Sequence, residues 1–361
     1  MLNYYNTISI NTSARQGADT SVLVIYTGGT IGMDYDPSGK YLVPFDFSQV
    51  LHKIPELHRF EIEITVLSYE QPIDSSDIKI HHWLNLARTI YDFYRDFDAF
   101  VILHGTDTMA YSASALSFLL ENLGKPVIFT GSQLPIGARR TDARENFVSA
   151  LEIAASKDTL GRALVPEVCI FFANSLLRGN RARKVQSLDF TAFETANYPA
   201  LATAGIRIDY NLPSIMPHPE REFNFFTRMD GNVISLKIFP GLPNDYIRQV
   251  LAIEGLRGVV LETYGSGNAP SENGFIVALE EAIQRGIHIF NVSQCMGGAV
   301  IQGMYGTSRR LRDIGVISGG DITAEAALTK MMFLLGNAHD HDLIRQRLAE
   351  PMRGEMDSQN K

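Results

Sequence analysis

The stretch Val101-Ile102-Leu103-His104-Gly105-Thr106-Asp107-Thr108-Met109 constrains the fold more than any other part of the chain. An unbroken apolar run ends in a glycine, breaks into Thr-Asp-Thr, and gives way to Met109, Ala113, Leu116 and Leu120 at the spacing of a helix face. Thr106 and Asp107 therefore fall where a strand ends and a helix begins. Free N–H groups and the helix dipole favour negative charge there, and open α/β sheets place ligands at such points. Thr and Asp are also ordinary helix N-caps, so this stretch alone leaves two readings open. A second junction of the same kind is Thr27-Gly28-Gly29-Thr30-Ile31-Gly32, after the apolar run Ser21–Thr27. Its glycines lack the spacing and the lysine of a phosphate-binding loop, which leaves the Thr30 hydroxyl as its chemical feature.

Apolar runs alternate with helical stretches from Ser21 to Ala173, which predicts an α/β fold with a larger, mainly parallel N-terminal sheet flanked by helices. Ser76 or Asp77 is expected to cap the helix through Arg95. A chain of 361 residues is long for one core, so a second unit is expected. Proline-rich irregular text places a linker at 198–228, between an N-terminal domain at 21–197 and a smaller C-terminal α/β domain at 229–361. Residues 1–20 read as a flexible arm. In the second domain Thr323 and Asp342 read as helix caps. The loop from Met33 to Pro44, with Tyr35 and Tyr41, follows a site-bearing strand and has the makings of a lid.

Net charge of −8 excludes nucleic acid or an anionic membrane as the main partner. Two cysteines, Cys169 and Cys295, suggest a reducing compartment, and residues 1–20 carry no secretory pattern, so a cytoplasmic, soluble protein is expected. His339-Asp340-His341-Asp342 has metal-binding letters but no matching cluster, and helix capping accounts for it better. Neither a metal nor a cofactor is expected. His104 reads as a satisfied polar group at a strand end.

Taken together, these motifs resemble the bacterial-type L-asparaginase family, in its type I (cytoplasmic) branch. The resemblance rests on Tyr26–Gly32 and Leu103–Met109 and extends through Asp74-Ser75-Ser76-Asp77, Arg178-Gly179-Asn180-Arg181, Tyr264–Pro270 and Gln294-Cys295-Met296. It implies hydrolysis of the side-chain amide of L-asparagine. Thr30 would be the nucleophile, Tyr41 the lid tyrosine against it, and Thr106 would stand beside Lys184 and Asp107 as a triad. Asp74, Ser75, Ser76, Thr106 and Asp107 would hold the substrate, with Asn268 reaching it from a neighbouring subunit. A homodimer or homotetramer is implied. Residue chemistry agrees: a zwitterionic substrate needs a carboxylate for its ammonium, as in Asp107, and neutral donors for its carboxylate, as in Ser75. A lysine against a hydroxyl and apolar walls can accept a proton, and the Thr106 N–H can face an oxyanion. Lys184 stands in a basic run that could equally be a solvated face. Tyr35 rivals Tyr41 for the lid, and Asn268 could be a turn residue.

One departure concerns regulation. Some type I members carry an asparagine effector pocket near the Gln-Cys-Met cysteine, lined by an arginine and a threonine. Here those positions hold Glu262 and Arg183, while Cys295 is kept, so effector activation is expected to be lost or altered. Two other functions share the scaffold: the ammonia-releasing subunit of a tRNA-dependent amidotransferase, and a non-catalytic amino-acid sensor.

Overall fold

The computed structural model describes residues 5–10, 20–35, 38, 40–44, 53–303 and 306–358. The rest of the N-terminal arm, with residues 36, 37 and 39 of the expected lid, lies outside the described residues. The chain divides into two units, one running through Thr195 with Pro199–Phe225 added, the other comprising Ala196–Tyr198 and Phe226–Lys361.

In chain order the first unit contains β1 (Tyr5–Ile10), β2 (Ser21–Tyr26), β3 (Met33–Tyr35), β4 (Leu42–Pro44), β5 (Glu63–Tyr69), α1 (Ile80–Asp92), β6 (Ala99–Leu103) and α2 (Met109–Leu119). There follow β7 (Leu120–Glu121), β8 (Val127–Thr130), α3 (Ala143–Ala155), β9 (Val168–Phe172), β10 (Ser175–Arg178), β11 (Arg183–Lys184) and β12 (Phe193–Glu194). The unit ends with β13 (Ala202–Ala204), β14 (Ile208–Tyr210) and β15 (Asn224–Phe225).

Its main sheet has the order β1-β5-β2-β6-β8-β9-β10-β13-β14. The inner strands β5, β2, β6, β8 and β9 are parallel, and antiparallel strands extend both edges. Burial on both faces explains why β6 and β9 read as continuous apolar runs, with every residue buried. Helix α2 is buried on nearly all sides, whereas α1 turns Trp83, Leu86, Ala87 and Ile90 inward.

From β2 the chain runs to β5 on one side, and from β6 to β8 on the other. The carboxyl ends of β2 and β6 therefore flank the point where the strand order reverses, the preferred ligand crevice of open α/β sheets.

The second unit is a parallel four-stranded sheet, β16 (Val233–Lys237), β17 (Gly258–Thr263), β18 (His288–Ser293) and β19 (Ile317–Ser318), in that order. It carries α4 (Asn244–Leu251), α5 (Asn273–Gln284), α6 (Gly306–Asp313), α7 (Ala324–Asn337) and α8 (His341–Ala349). Ile247, Val259, Leu261, Phe275, Leu279 and Ile289 belong to its core. Lys330 and Glu355, both fully buried and 2.7 Å apart, tie the C-terminal tail to α7.

Several features depart from the sequence reading. Part of the arm, Tyr5–Ile10, pairs antiparallel with β5 along its whole length. Most of the expected linker belongs to the first unit, with β13 and β14 on its sheet edge and β15 paired to β7. Strands of two or three residues carry too little periodicity to stand out. Asp340, not Asp342, caps α8, accepting the Leu343 N–H at 2.8 Å, while Thr323 caps α7 as expected. Helix α1 starts at Ile80 after Lys79, so neither Ser76 nor Asp77 is its cap.

Candidate active site

Three turns converge at the carboxyl ends of β2, β5 and β6. The Thr27 N–H and hydroxyl both donate to Leu103 O at 3.0 Å, and the Ile73 N–H donates to Thr27 O at 2.8 Å. Gly29 adopts a φ of +89°, and a Cβ there would stand 2.5 Å from Gly105 N. A Cβ on Gly105 would stand 2.6 Å from Ser75 Oγ. Glycine is required at both positions because backbone meets backbone, or a buried hydroxyl, with no room for a side chain. Thr30 and Thr106 each directly follow one of these two glycines, so the two hydroxyl-bearing turns lie against each other.

The short hairpin β11–β12 delivers Lys184, paired with Phe193, to the same place. Its Nζ donates to Thr106 Oγ1 at 2.8 Å and to Asp107 Oδ1 at 2.6 Å. The Lys184 side chain is 18% exposed and that of Asp107 67%, so the amine is sheltered while the carboxylate faces solvent. A hydroxyl, an amine and a carboxylate in hydrogen-bonded series form the arrangement that moves protons in hydrolases. Helix α2 begins only at Met109, and its N-cap residue Thr108 makes no side-chain cap bond. Thr106 and Asp107 are therefore not helix caps, and their side chains are engaged with Lys184. The Thr108 hydroxyl instead donates to Ser75 O at 2.7 Å, tying the third turn to the second.

That third turn is a single 3-10 turn, Ser75–Asp77, capped by Asp74. The Ser76 N–H and hydroxyl both donate to Asp74 Oδ1 at 2.9 Å, which holds the Asp74 carboxyl below its ordinary range. Asp74 and Ser76 thus fix each other, and buried Ser75 faces Gly105.

The expected lid is the hairpin β3–β4, with Tyr35 opposite Leu42. Tyr41, just before β4, is 70% exposed, and Tyr35 is also exposed. Asn268 closes a turn in the second unit, where its N–H donates to Tyr264 O at 2.8 Å and Tyr264 N–H donates to Asn268 O at 2.9 Å. Also in that unit, the Glu262 carboxylate accepts from Ser235 Oγ at 2.6 Å, and Cys295 is exposed. Among the described residues no group of three or more His, Cys, Asp or Glu side chains is placed to hold a metal ion.

Behind Thr106 lies a buried polar row that sequence reasoning did not assemble. His104 Nδ1 is 2.6 Å from Gly105 O, its Nε2 is 3.0 Å from Ser112 Oγ, and the Trp83 indole N–H donates to the same Oγ at 2.9 Å. Burial pushes the His104 pKa down to about 4, so the ring is neutral near pH 7. The available signal was Ser112 at i+8 from His104 in an apolar helix, which small-residue packing explains equally well.

Fold and site define an α/β protein of two units with a hydrogen-bonded cluster of Thr106, Lys184 and Asp107 at the strand-order reversal of its larger sheet. Residues 21–216 match the model of the asparaginase N-terminal domain, and residues 232–348 that of the glutaminase/asparaginase C-terminal domain. L-asparaginase 1 of Escherichia coli (strain K12) is 42% identical over 337 residues, covering 93% of this chain and 98% of that protein. A 60 kDa lysophospholipase of Homo sapiens is 39% identical, covering 94% of this chain and 62% of that protein. The crystal structure of L-asparaginase I from Vibrio cholerae superposes with a TM-score of 0.84 at 38% identity, covering 94% of this chain and 99% of that one. The chain belongs to the asparaginase/glutaminase family and is related to the type I bacterial L-asparaginases.

Proposed function

We propose that this protein is a cytoplasmic L-asparagine amidohydrolase that yields L-aspartate and ammonia. The reading is supported by one observation: the Lys184 amine bonded to both Thr106 and Asp107, next to the close approach of Gly29 and Gly105, the glycines that precede Thr30 and Thr106. Asp107 takes the substrate ammonium through its solvent-facing carboxylate, and Ser75, set by Asp74, Ser76 and Thr108, takes the α-carboxylate. The Thr30 hydroxyl adds to the side-chain amide carbon, and its proton passes to the leaving nitrogen. Ammonia departs and leaves an ester on Thr30. Water then adds to that ester, its proton returns to Thr30 Oγ, and L-aspartate is released. The Thr106 hydroxyl, held by Lys184, serves as the proton carrier, and the Thr106 N–H faces the oxyanion.

Closure of the β3–β4 hairpin brings Tyr41 from solvent onto Thr30 and excludes water from the ester-forming step. A twofold-symmetric homodimer or homotetramer completes the site with Asn268 of a neighbouring subunit. No cofactor takes part.

The test is ammonia release from L-asparagine by the wild type and by Thr30→Ala. The substitution is expected to lower turnover by roughly three orders of magnitude or more, the scale of nucleophile removal in hydrolases. A variant as active as the wild type removes Thr30 as the nucleophile.

A further inference from the structure

We propose that His104 is a positioning residue that sets the direction of the Thr106 peptide N–H. The inference rests on the amidase reading above, in which that N–H faces the oxyanion.

The hydrogen-bond row fixes the tautomer. A carbonyl oxygen can only accept, so the short contact to Gly105 O requires the proton on His104 Nδ1. Nε2 is then bare and accepts from the Ser112 hydroxyl, whose oxygen in turn accepts the Trp83 indole N–H. Each group has one role, and all three side chains are buried, so no water competes for the contacts. The low pKa of the ring keeps this neutral arrangement in place well below neutral pH.

The consequence passes through one peptide plane. Gly105 C=O and Thr106 N–H belong to the same planar unit and point in opposite directions. Drawing the carbonyl onto the imidazole therefore turns the Thr106 N–H away from the buried ring. Among the described residues that N–H has no hydrogen-bond acceptor. Gly105 has no Cβ, so little in its own stereochemistry resists a flip of the peptide that follows it. In a flipped peptide the carbonyl oxygen would face the oxyanion, and the donor would be lost. The imidazole N–H is what biases this plane toward the productive orientation.

Two substitutions separate the roles of the ring nitrogens. In His104→Asn the side-chain amide nitrogen can occupy the place of Nδ1 and still donate to Gly105 O. In His104→Gln the amide reaches the place of Nε2 and leaves Gly105 O without its donor. Steady-state ammonia release by the full chain should show kcat within about threefold of wild type for His104→Asn. For His104→Gln it should fall about tenfold or more, with KM within about twofold, because Asp107 and Ser75 are untouched. With threonine labelled selectively by ¹⁵N, the Thr106 amide resonance should move in His104→Gln and stay near its wild-type position in His104→Asn.

The proposal is overturned if His104→Gln turns over like wild type, or if both variants lose kcat together. If His104→Gln does not fold, His104→Asn decides alone: retained kcat supports the proposal, and a tenfold fall overturns it. A wild-type protein that releases no ammonia from L-asparagine sinks the amidase reading instead. The Thr106 resonance then still reports whether His104 sets the plane.

Discussion

Replacing Lys184 by methionine separates what this side chain does for catalysis from what it does for stability. The change keeps the length of the stem and removes the amine that donates to Thr106 and Asp107. The lost ion pair has a partner 67% exposed, so solvent screening limits its worth to about 1 kcal/mol at most. The lost bond to Thr106 is worth about 1 kcal/mol. Against these losses, a charge on a side chain only 18% exposed no longer has to be held away from water. The terms nearly cancel, and stability should change by no more than about 1 kcal/mol, or roughly 2–4 °C in Tm for units of this size. Activity should respond on another scale, because a positioned proton carrier contributes about 10²–10⁴-fold and Lys184 holds the Thr106 hydroxyl in that role. Ammonia release and thermal melting on the same preparation read both quantities. Turnover within tenfold of wild type, or a loss that merely tracks unfolding, would refute the role given to Lys184.

Two further outcomes follow from the structure. Burial lowers both His104 and His288 from 6.5 to about 4, with His341, Arg345 and Arg257 adding to the effect at His288. The folded chain thus binds these protons less readily than the unfolded chain. The stability contributed is complete above pH 6.5 and is lost as pH falls toward 4, by about 3 kcal/mol at His104 on the scale of 1.36 kcal/mol per pKa unit. Melting curves from pH 7 to 4.5 should show the decline, and His104→Asn should flatten part of it; a pH-independent Tm contradicts the assignment. Separately, velocity against L-asparagine should be hyperbolic, because the family resemblance aligns Glu262 with the arginine of the effector pocket, and a carboxylate there would repel an effector carboxylate. Sigmoidal kinetics abolished by substituting Cys295 would contradict that.

Much of the candidate site was legible in the sequence because its features are local. An apolar run ending in Gly-Thr-Asp-Thr, or in Gly-Gly-Thr, specifies a strand end, a close backbone approach and a hydroxyl. Lys184 was different. Nothing around Arg181-Ala182-Arg183-Lys184 distinguishes a partly sheltered amine from a solvated basic run, and only its register after Arg178-Gly179-Asn180 in the family motif singles it out. The hairpin that delivers it has strands of two residues, too short to show a period. The row from Trp83 through Ser112 to His104 was hidden for another reason. Its members lie up to 29 residues apart, and their link exists only once α1 and α2 are packed. The linker expected at 198–228 was misread because prolines and polar residues mark irregular backbone, not where the core stops. The edge strands β13 and β14 are irregular in sequence, yet they extend the sheet of the first unit.

The central claim is that Thr30 and Thr106 face a common substrate. The most direct measurement is a crystal of the Thr30→Ala variant soaked with L-asparagine. The amide should lie between position 30 and Thr106, with its ammonium on Asp107 and its α-carboxylate on Ser75. Density for asparagine elsewhere, or with the carboxylate turned toward Asp107, would contradict the account.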